Sequence, residues 1–261
     1  MEKTSVLIPY ISASAKAEEL RYALRSIAKH LKGNYEIILI GDKPDYVSDE
    51  VIHIPHQRAT GGGIDLPKCN DAWNKILTAI NSGLLSKVFV YTYDDICLLE
   101  DVEPMQLRKL YAEEDLHKVE KWNEEPAAKK HVGMIKKTLA ALAKRGLPGW
   151  NYETHLPKVL NAVRVKRIAK EFNGQKNRLL LNLLYGNYYY KGLEPQLLEK
   201  GDKVKVAFTG KSPKSYSNRS LKTMLKACEG AKFLNWNDAG YNQNVEDLLK
   251  ELFPDKCRFE V

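Results

Sequence analysis

The sequence predicts an α/β protein: a mostly parallel sheet flanked by helices, with a helical insertion in the middle of the chain. Three observations carry this expectation. Two apolar runs of strand length, TSVLIPY (4–10) and YEIILI (35–40), bracket a stretch in which Leu20, Leu24, Ile27, Ala28 and Leu31 recur at helical spacing. Strand, helix and strand in such short succession form a βαβ unit, which requires a parallel pair and a right-handed crossover. Past residue 101 the texture shifts to Lys, Glu and Ala, the composition of helices.

The elements follow in order. The first strand ends at Pro9-Tyr10, and a helix over 15–31 is stopped by Gly33-Asn34. The second strand ends in Gly41-Asp42. VIHIP (51–55) is a short third strand, followed by the glycine-rich loop ATGGGID (59–65). A second helix spans 68–82, with Trp73, Ile76, Leu77 and Ile80 on one face and Gly83 as its stop. KVFVYT (87–92) is the fourth strand, with Asp94-Asp95 just past its end. The run MQLRKLYAEEDLHKVEKW (105–122) reads as one helix and AAKKHVGMIKKTLAALAKRG (127–146) as another. Residues 158–171 and 176–190 read as two more, YGNYYY being open to a loop reading. Late strands are expected at 204–209 and 232–236, joining the first sheet, and a last helix at 245–253 is closed by Pro254. The division expected is 1–103 for an α/β part, 104–190 for a mainly helical insertion and 191–261 for the elements completing the α/β domain.

Composition narrows the class. Of 261 residues, 44% are hydrophobic and 28% charged, which excludes a disordered chain. A net charge of +8 favours anionic partners without choosing among nucleic acid, phosphorylated ligands and a membrane surface. Cys69, Cys97, Cys228 and Cys257 form no CxxC pair, so they read as reduced, mostly buried thiols. The apolar run at the N-terminus is too short for a secretory signal, and no run approaches the roughly 18 apolar residues of a membrane span. A cytoplasmic protein is expected, with peripheral membrane contact left open.

In an open α/β sheet, ligands bind at the C-terminal ends of the strands. Five polar features fall there: Pro9-Tyr10, Gly41-Asp42, the 56–65 loop, Asp94-Asp95 and 235–238. Adjacent carboxylates repel unless a cation or donors offset them. A hard ion such as Mg²⁺ or Mn²⁺ binds one or two carboxylates together with phosphate oxygens. An isolated acid pair reads first as a solvated turn or helix N-cap, but the position of Asp94-Asp95 after a buried strand, beside the other rim features, favours the ion. Asp42 is either a ribose or base acceptor or a turn residue in GDKPD. Arg58 and Lys68 flank the glycine loop and suit phosphates, while Asn70 is a donor contact or a helix cap. In NYETHLP (151–157), Glu153 and His155 have the chemistry of a base or metal ligand. In LNWNDAG (234–240), Asp238 is a base for an acceptor hydroxyl or part of an Asx turn.

SVLIPY, YEIILIGD and KVFVYTYDD together resemble the nucleotide-diphosphosugar-binding half of GT-A glycosyltransferases, a Rossmann-like fold. The resemblance covers about the first 100 residues. It implies that Pro9, Tyr10 and Asp42 hold the nucleoside and that Asp94-Asp95 stand for the acidic metal and diphosphate motif. That motif has two acids flanking one residue, whereas here the two are adjacent. THLP and FLNWND are similar to segments of Stealth-type capsule sugar-phosphate transferases and of uncharacterised bacterial and prophage proteins. The implied activity is transfer of a sugar from a UDP-sugar or a close relative to a glycan or surface-polymer acceptor. Mn²⁺ or Mg²⁺ would sit on Asp95, Asp94 and His155, with Asp238, His155 or Glu153 as base. Sugar-1-phosphate transfer is the neighbouring alternative. A nucleic-acid-binding protein is the alternative of another class, suggested by the charge and by YGNYYY. Its positive residues are scattered rather than striped.

Overall fold

The computed structural model describes residues 3–57, 68–122, 126–199, 201–210 and 216–261. It is a mixed α/β protein with a mostly parallel central sheet flanked by helices. The sheet has the order β3-β2-β1-β4-β7. Its strands are β1 (Thr4–Tyr10), β2 (Tyr35–Gly41), β3 (Ile52–Pro55), β4 (Val88–Tyr91) and β7 (Lys158–Asn161). The first four run parallel, and β7 closes the edge antiparallel, Phe89 opposite Leu160.

Both faces of this sheet are covered, which explains why β1 and β2 are apolar at nearly every position rather than alternating. On one face Val6, Ile8, Ile37 and Leu39 pack on Leu20, Leu24 and Ile27 of α1 (Glu19–His30). On the other, Leu7, Ile38 and Ile40 meet Trp73 and Ile76 of α2 (Lys68–Asn81). Each of these fully buried side chains contributes roughly 1.5–3 kcal/mol. Beyond α2 the same core takes in α3 (Pro126–Ala143), α4 (Ala162–Phe172) and α6 (Leu181–Tyr189), while the single turn α5 (Gly174–Asn177) brings Gly174 against the Trp73 ring.

A second, three-stranded sheet has the order β5-β10-β9, from β5 (Ile96–Leu98), β9 (Lys205–Phe208) and β10 (Phe233–Trp236). It packs on α7 (Leu221–Cys228) and α8 (Gln243–Leu252) around Leu234, Trp236 and Phe208. The late strands therefore do not join the first sheet as expected. β10 pairs with β5, three residues that leave Asp94-Asp95 and turn away from β4, and β9 pairs with β10. A two-stranded parallel ribbon joins β6 (Tyr111–Ala112) to β8 (Gln196–Leu197).

Two other expectations change. Residues 105–122 are not a helix. Pro104–Arg108 is a 3₁₀ turn with a Glu103–Gln106 capping box, β6 follows, and Leu116–Lys118 is a second 3₁₀ turn. Their backbone groups are taken by distant partners: Glu113 N donates to Asn151 O, Leu116 N to Gly149 O and Gln196 N to Leu110 O. Tertiary hydrogen bonds override the helix propensity of the composition. Residues 158–161 likewise form β7 instead of a helical start. Asn161 ends the strand and caps α4, its side chain accepting from Arg164 N. The Tyr-rich segment is helical, as α6. Among the described residues Cys97, Cys228 and Cys257 are free thiols, and no helix is long and apolar enough to cross a membrane.

Candidate functional site

The C-terminal ends of β1, β2 and β4 are adjacent in the sheet, so Tyr10, Asp42 and Asp94-Asp95 share one rim. Tyr10 lies opposite Gly41 in register. The approach is close because residue 41 is glycine: at φ +122 a Cβ there would fall 1.9 Å from Tyr10 O. That carbonyl accepts from Asp42 N at 3.3 Å and from Lys75 Nζ at 3.2 Å. Asp42 is exposed, and one carboxylate oxygen accepts from Ser12 N at 2.8 Å, tying the loop after β1 to the end of β2. Pro9 lies inside β1, one residue back from the rim.

The acid pair sits where β4 hands over to β5. Burial first, then Asp95 and Glu19, push the Asp94 carboxyl up to about 8. Glu19, at the start of α1, is buried. Its carboxyl is raised by burial, although Lys16 N and Trp236 Nε1 donate to it at 2.7 and 2.6 Å. Asp95 and Asp238 both act on Glu19 electrostatically, so four carboxylates converge on the rim. The buried counter-charge is Lys75 of α2, 3% exposed, with Asp71 at 3.1 Å and Asp42 and Asp94 in its field. Burial lowers its pKa, the acids working against that shift.

His155 is brought to the same point from the segment before β7. Its Nε2 lies 2.9 Å from Asp95 Oδ1. Its ring stacks on Tyr93, centroids 5.2 Å apart and 14° from parallel. Its backbone has φ +51, a left-handed conformation that costs a non-glycine residue of order 1–3 kcal/mol. Asn235 of β10 offsets that cost by donating its Nδ2 to His155 O at 2.8 Å. The second sheet thus holds the histidine of the first sheet's rim. Despite the 2.9 Å separation, Asp95 Oδ1 and His155 Nε2 are both buried atoms without a hydrogen bond of acceptable angle.

This pair is a fair fit to a hard divalent cation. A carboxylate oxygen and an imidazole nitrogen, close together and unsatisfied, are two of its ligands, and Mn²⁺ accepts both types. Among the described residues no group of three or more His, Cys, Asp or Glu side chains is arranged to hold a metal. The remaining ligands would be substrate phosphate oxygens and water, the usual situation for Mg²⁺ and Mn²⁺.

The other residues singled out by sequence fall as follows. Glu153 faces α6: its Oε1 accepts from Leu183 N at 3.3 Å and its Oε2 from Asn182 Nδ2 at 3.2 Å. It caps that helix. Asp238 is exposed in the turn after β10. Asn70 lies in the first turn of α2 with its Oδ1 buried and without a hydrogen bond; His56 Nε2 and Asp71 Oδ1, 3.7 Å apart, are likewise buried without one. Arg58 and the 59–65 glycine loop lie outside the described residues, and so does the side chain of Lys68. Tyr188 and Tyr189 are occupied within the fold, under Arg167 and Arg164, with Tyr188 Oη donating to Glu171 at 2.6 Å.

Sequence reasoning missed Glu19, Lys75, Tyr93, Asn182 and Trp236. The Asp71–Lys75 spacing of four residues was the signal for Lys75, since a paired lysine flanked by Trp73 and Ile76 can face a core. For Glu19 the first turn of a helix after a rim loop was the only hint.

No protein-family model matches the chain, and no curated protein matches it. Among solved structures, the chain is similar to one described as the WbbM bifunctional glycosyltransferase in its apo form. The identity is 13% and the TM-score 0.47, over 97% of this chain and 50% of that one. The chain spans about half the length of that structure.

Proposed function

We propose that the protein is a metal-assisted glycosyltransferase that takes a sugar from a UDP-sugar, or a close relative, to a hydroxyl of a glycan or surface polymer. The observation that carries this reading is the unsatisfied Asp95–His155 pair, 2.9 Å apart, at the C-terminal rim of a parallel sheet that also carries Tyr10 and Asp42. On this reading Asp42 and the end of β1 hold the nucleoside. Asp95 and His155 hold Mn²⁺ or Mg²⁺, which when bound offsets the charge developing on the leaving diphosphate. Asp94, whose carboxyl is pushed up by burial and by Asp95 and Glu19, stands beside that cation, whose charge would offset the crowding of the acids. Lys75, paired with Asp71 and in the field of Asp42 and Asp94, is the cation of this rim. The acceptor hydroxyl attacks C1 of the sugar, the C1–O bond to the diphosphate breaks, and an exposed carboxylate such as Asp238 takes the hydroxyl proton.

Calorimetric titration with UDP, with and without Mn²⁺, tests the reading. Metal-dependent binding is expected, weakened at least tenfold in Asp95→Asn, on the scale of losing a charge-assisted contact. A folded sample that binds UDP under neither condition rejects the proposal. Product analysis with UDP-sugars separates the chemistry: UDP release reports C1–O cleavage, and UMP release would assign sugar-1-phosphate transfer instead.

A further inference from the structure

The positive charge of the chain is concentrated on one group of helices. Residues 126–178 hold 13 Lys and Arg against two acids, Glu153 and Glu171, while the rest of the chain holds 28 against 31. The net charge of +8 therefore comes from this segment, and the remainder is slightly acidic. Cations that look scattered along the sequence are gathered by the fold. Lys158 lies in β7, and the other twelve are exposed on α3, on α4 and in the turns that follow them.

Helix geometry lines them up. On α3, Lys130, Lys137 and Lys144 recur every seven residues, on the side away from the buried Ile135 and Leu142. The residues between them on that side, Gly133 and Ala140, are small. On α4, Val163, Lys166, Arg167 and Lys170 form the stripe opposite the buried Val165, Ile168 and Phe172. Arg145, just past α3, joins the two helices: its Cζ lies 3.9 Å from the Phe172 ring centre, and its Nη1 lies 3.4 Å from a Glu171 carboxylate oxygen. Both helices also pack on α6, where Arg167 and Arg164 lie over Tyr188 and Tyr189. A helix face that is merely solvated mixes signs, with Glu and Lys paired at four-residue spacing. Here Lys166 and Lys170 stand at that spacing as like charges, which destabilises a helix. The acid on this band, Glu171, is shared by Arg145, Arg167 and the Tyr188 hydroxyl.

We propose that this band of α3 and α4, with the end of α6, docks on an anionic phospholipid bilayer. Separated ammonium and guanidinium groups meet the headgroup phosphates, as clusters of four to eight cations on amphipathic helices do. Two details favour lipid over nucleic acid. Single strands bind basic faces by stacking bases on aromatic rings, and here Tyr188 and Tyr189 are already engaged, each under an arginine and edge-on to one another. Val163 is 61% exposed among the cations. An apolar side chain there suits the boundary of headgroups and acyl chains, where tyrosine and long basic side chains keep apolar stems below and polar ends above. The attraction acts within a Debye length, about 8 Å at physiological salt, so binding is strong at low salt and falls as salt rises. The acidic remainder of the chain is repelled by the same surface, which selects one orientation. Neither the band nor its binding depends on the glycosyl-transfer reading of the rim.

Co-sedimentation with vesicles tests the proposal, without nucleotide or metal. One set is phosphatidylcholine alone, and the other is phosphatidylcholine and phosphatidylglycerol mixed two to one. The protein is expected to bind the mixed vesicles at low salt, about tenfold or more weakly near 0.3 M salt, and to leave the neutral vesicles unbound. Lys137→Glu, Lys166→Glu and Lys170→Glu combined are expected to weaken binding at least about tenfold with circular dichroism unchanged. Glutamine at the same three positions serves if the glutamate variant does not fold. Lys222→Glu, Lys226→Glu and Lys256→Glu combined change the net charge equally, on α7 and near the C-terminus, all three being exposed. That variant is expected to change binding by less than about twofold, because the charge removed lies off the docking face. No binding to the mixed vesicles overturns the proposal, and so does an equal loss in the two combined variants, which would assign binding to net charge alone. Displacement from the vesicles by a DNA oligonucleotide at equal phosphate concentration overturns it in favour of a nucleic-acid partner.

Discussion

Gly41 governs how closely the ends of β1 and β2 approach at the rim. Its φ of +122 and the 1.9 Å gap from an added Cβ to Tyr10 O act together, so alanine meets both a steric and a conformational penalty. Tyr10 O is the oxygen on which Asp42 N and Lys75 Nζ converge, so moving it disturbs both. Gly41→Ala is expected to cost roughly 3 kcal/mol, read as a lower midpoint in urea with an unchanged m-value. A variant as stable as the parent would show that the strand ends separate freely. The glycine was visible in the sequence as a strand terminator, but its steric role depends on register with β1, which no local pattern reveals. The same limit applies to Lys75 and Glu19. A charged residue in an amphipathic helix reads as solvent-facing until the packing angle is known, and here both lie inside.

At the scale of elements, β1, β2 and β4 were legible because a strand buried on both faces is apolar at consecutive positions, and few other structures demand that. Tyr10, Asp42 and Asp94-Asp95 followed from the strand ends. β5 and β7 were not legible: three and four residues carry too little periodicity, and their pairing with β10 and β4 is set by chain far away in sequence. The 105–122 segment misled for the opposite reason, its helical composition yielding to backbone partners at 149–151 and 196–198. The link from β10 to the rim has a measurable consequence. Asn235 is 2% exposed and its amide is the hydrogen-bond donor to the left-handed His155 carbonyl. Asn235→Ala leaves that carbonyl unmet and releases the ring from its position beside Asp95. The expected result is about a tenfold loss of Mn²⁺-dependent UDP affinity, on the scale of one such bond, measured well below the melting temperature with near-UV circular dichroism unchanged. Unaltered affinity would show that stacking on Tyr93 alone positions the histidine.

Across the whole molecule, the C-terminus is the clasp that locks α1 to the sheet. Phe259 enters the core of Val6, Ile8 and Leu24, and Ser48 N donates to its carbonyl. Beside it Glu260, its side chain fully buried, receives Arg21 at 2.7 Å and Arg25 at 2.8 Å, while Cys257 N donates to it at 3.0 Å. Burial alone would raise this carboxyl. The Arg25 hydrogen bonds, the Cys257 amide and Arg21 outweigh burial and hold it at about 2, against an ordinary 4.5. Because the folded value is the depressed one, the stabilisation is complete above the ordinary glutamate range and is lost as pH falls from there through about 2. Glu260→Gln keeps the shape but not the charge, and leaves two arginines facing a neutral amide. At neutral pH the variant is expected to be roughly 2–4 kcal/mol less stable, the range for a buried charge-assisted contact. Between pH 5 and 2 the gap should close, because protonation does to the parent what the substitution has already done. Urea titrations of parent and variant across that interval measure this convergence directly. Parallel curves with a constant gap would mean that Glu260 acts through packing rather than through its charge.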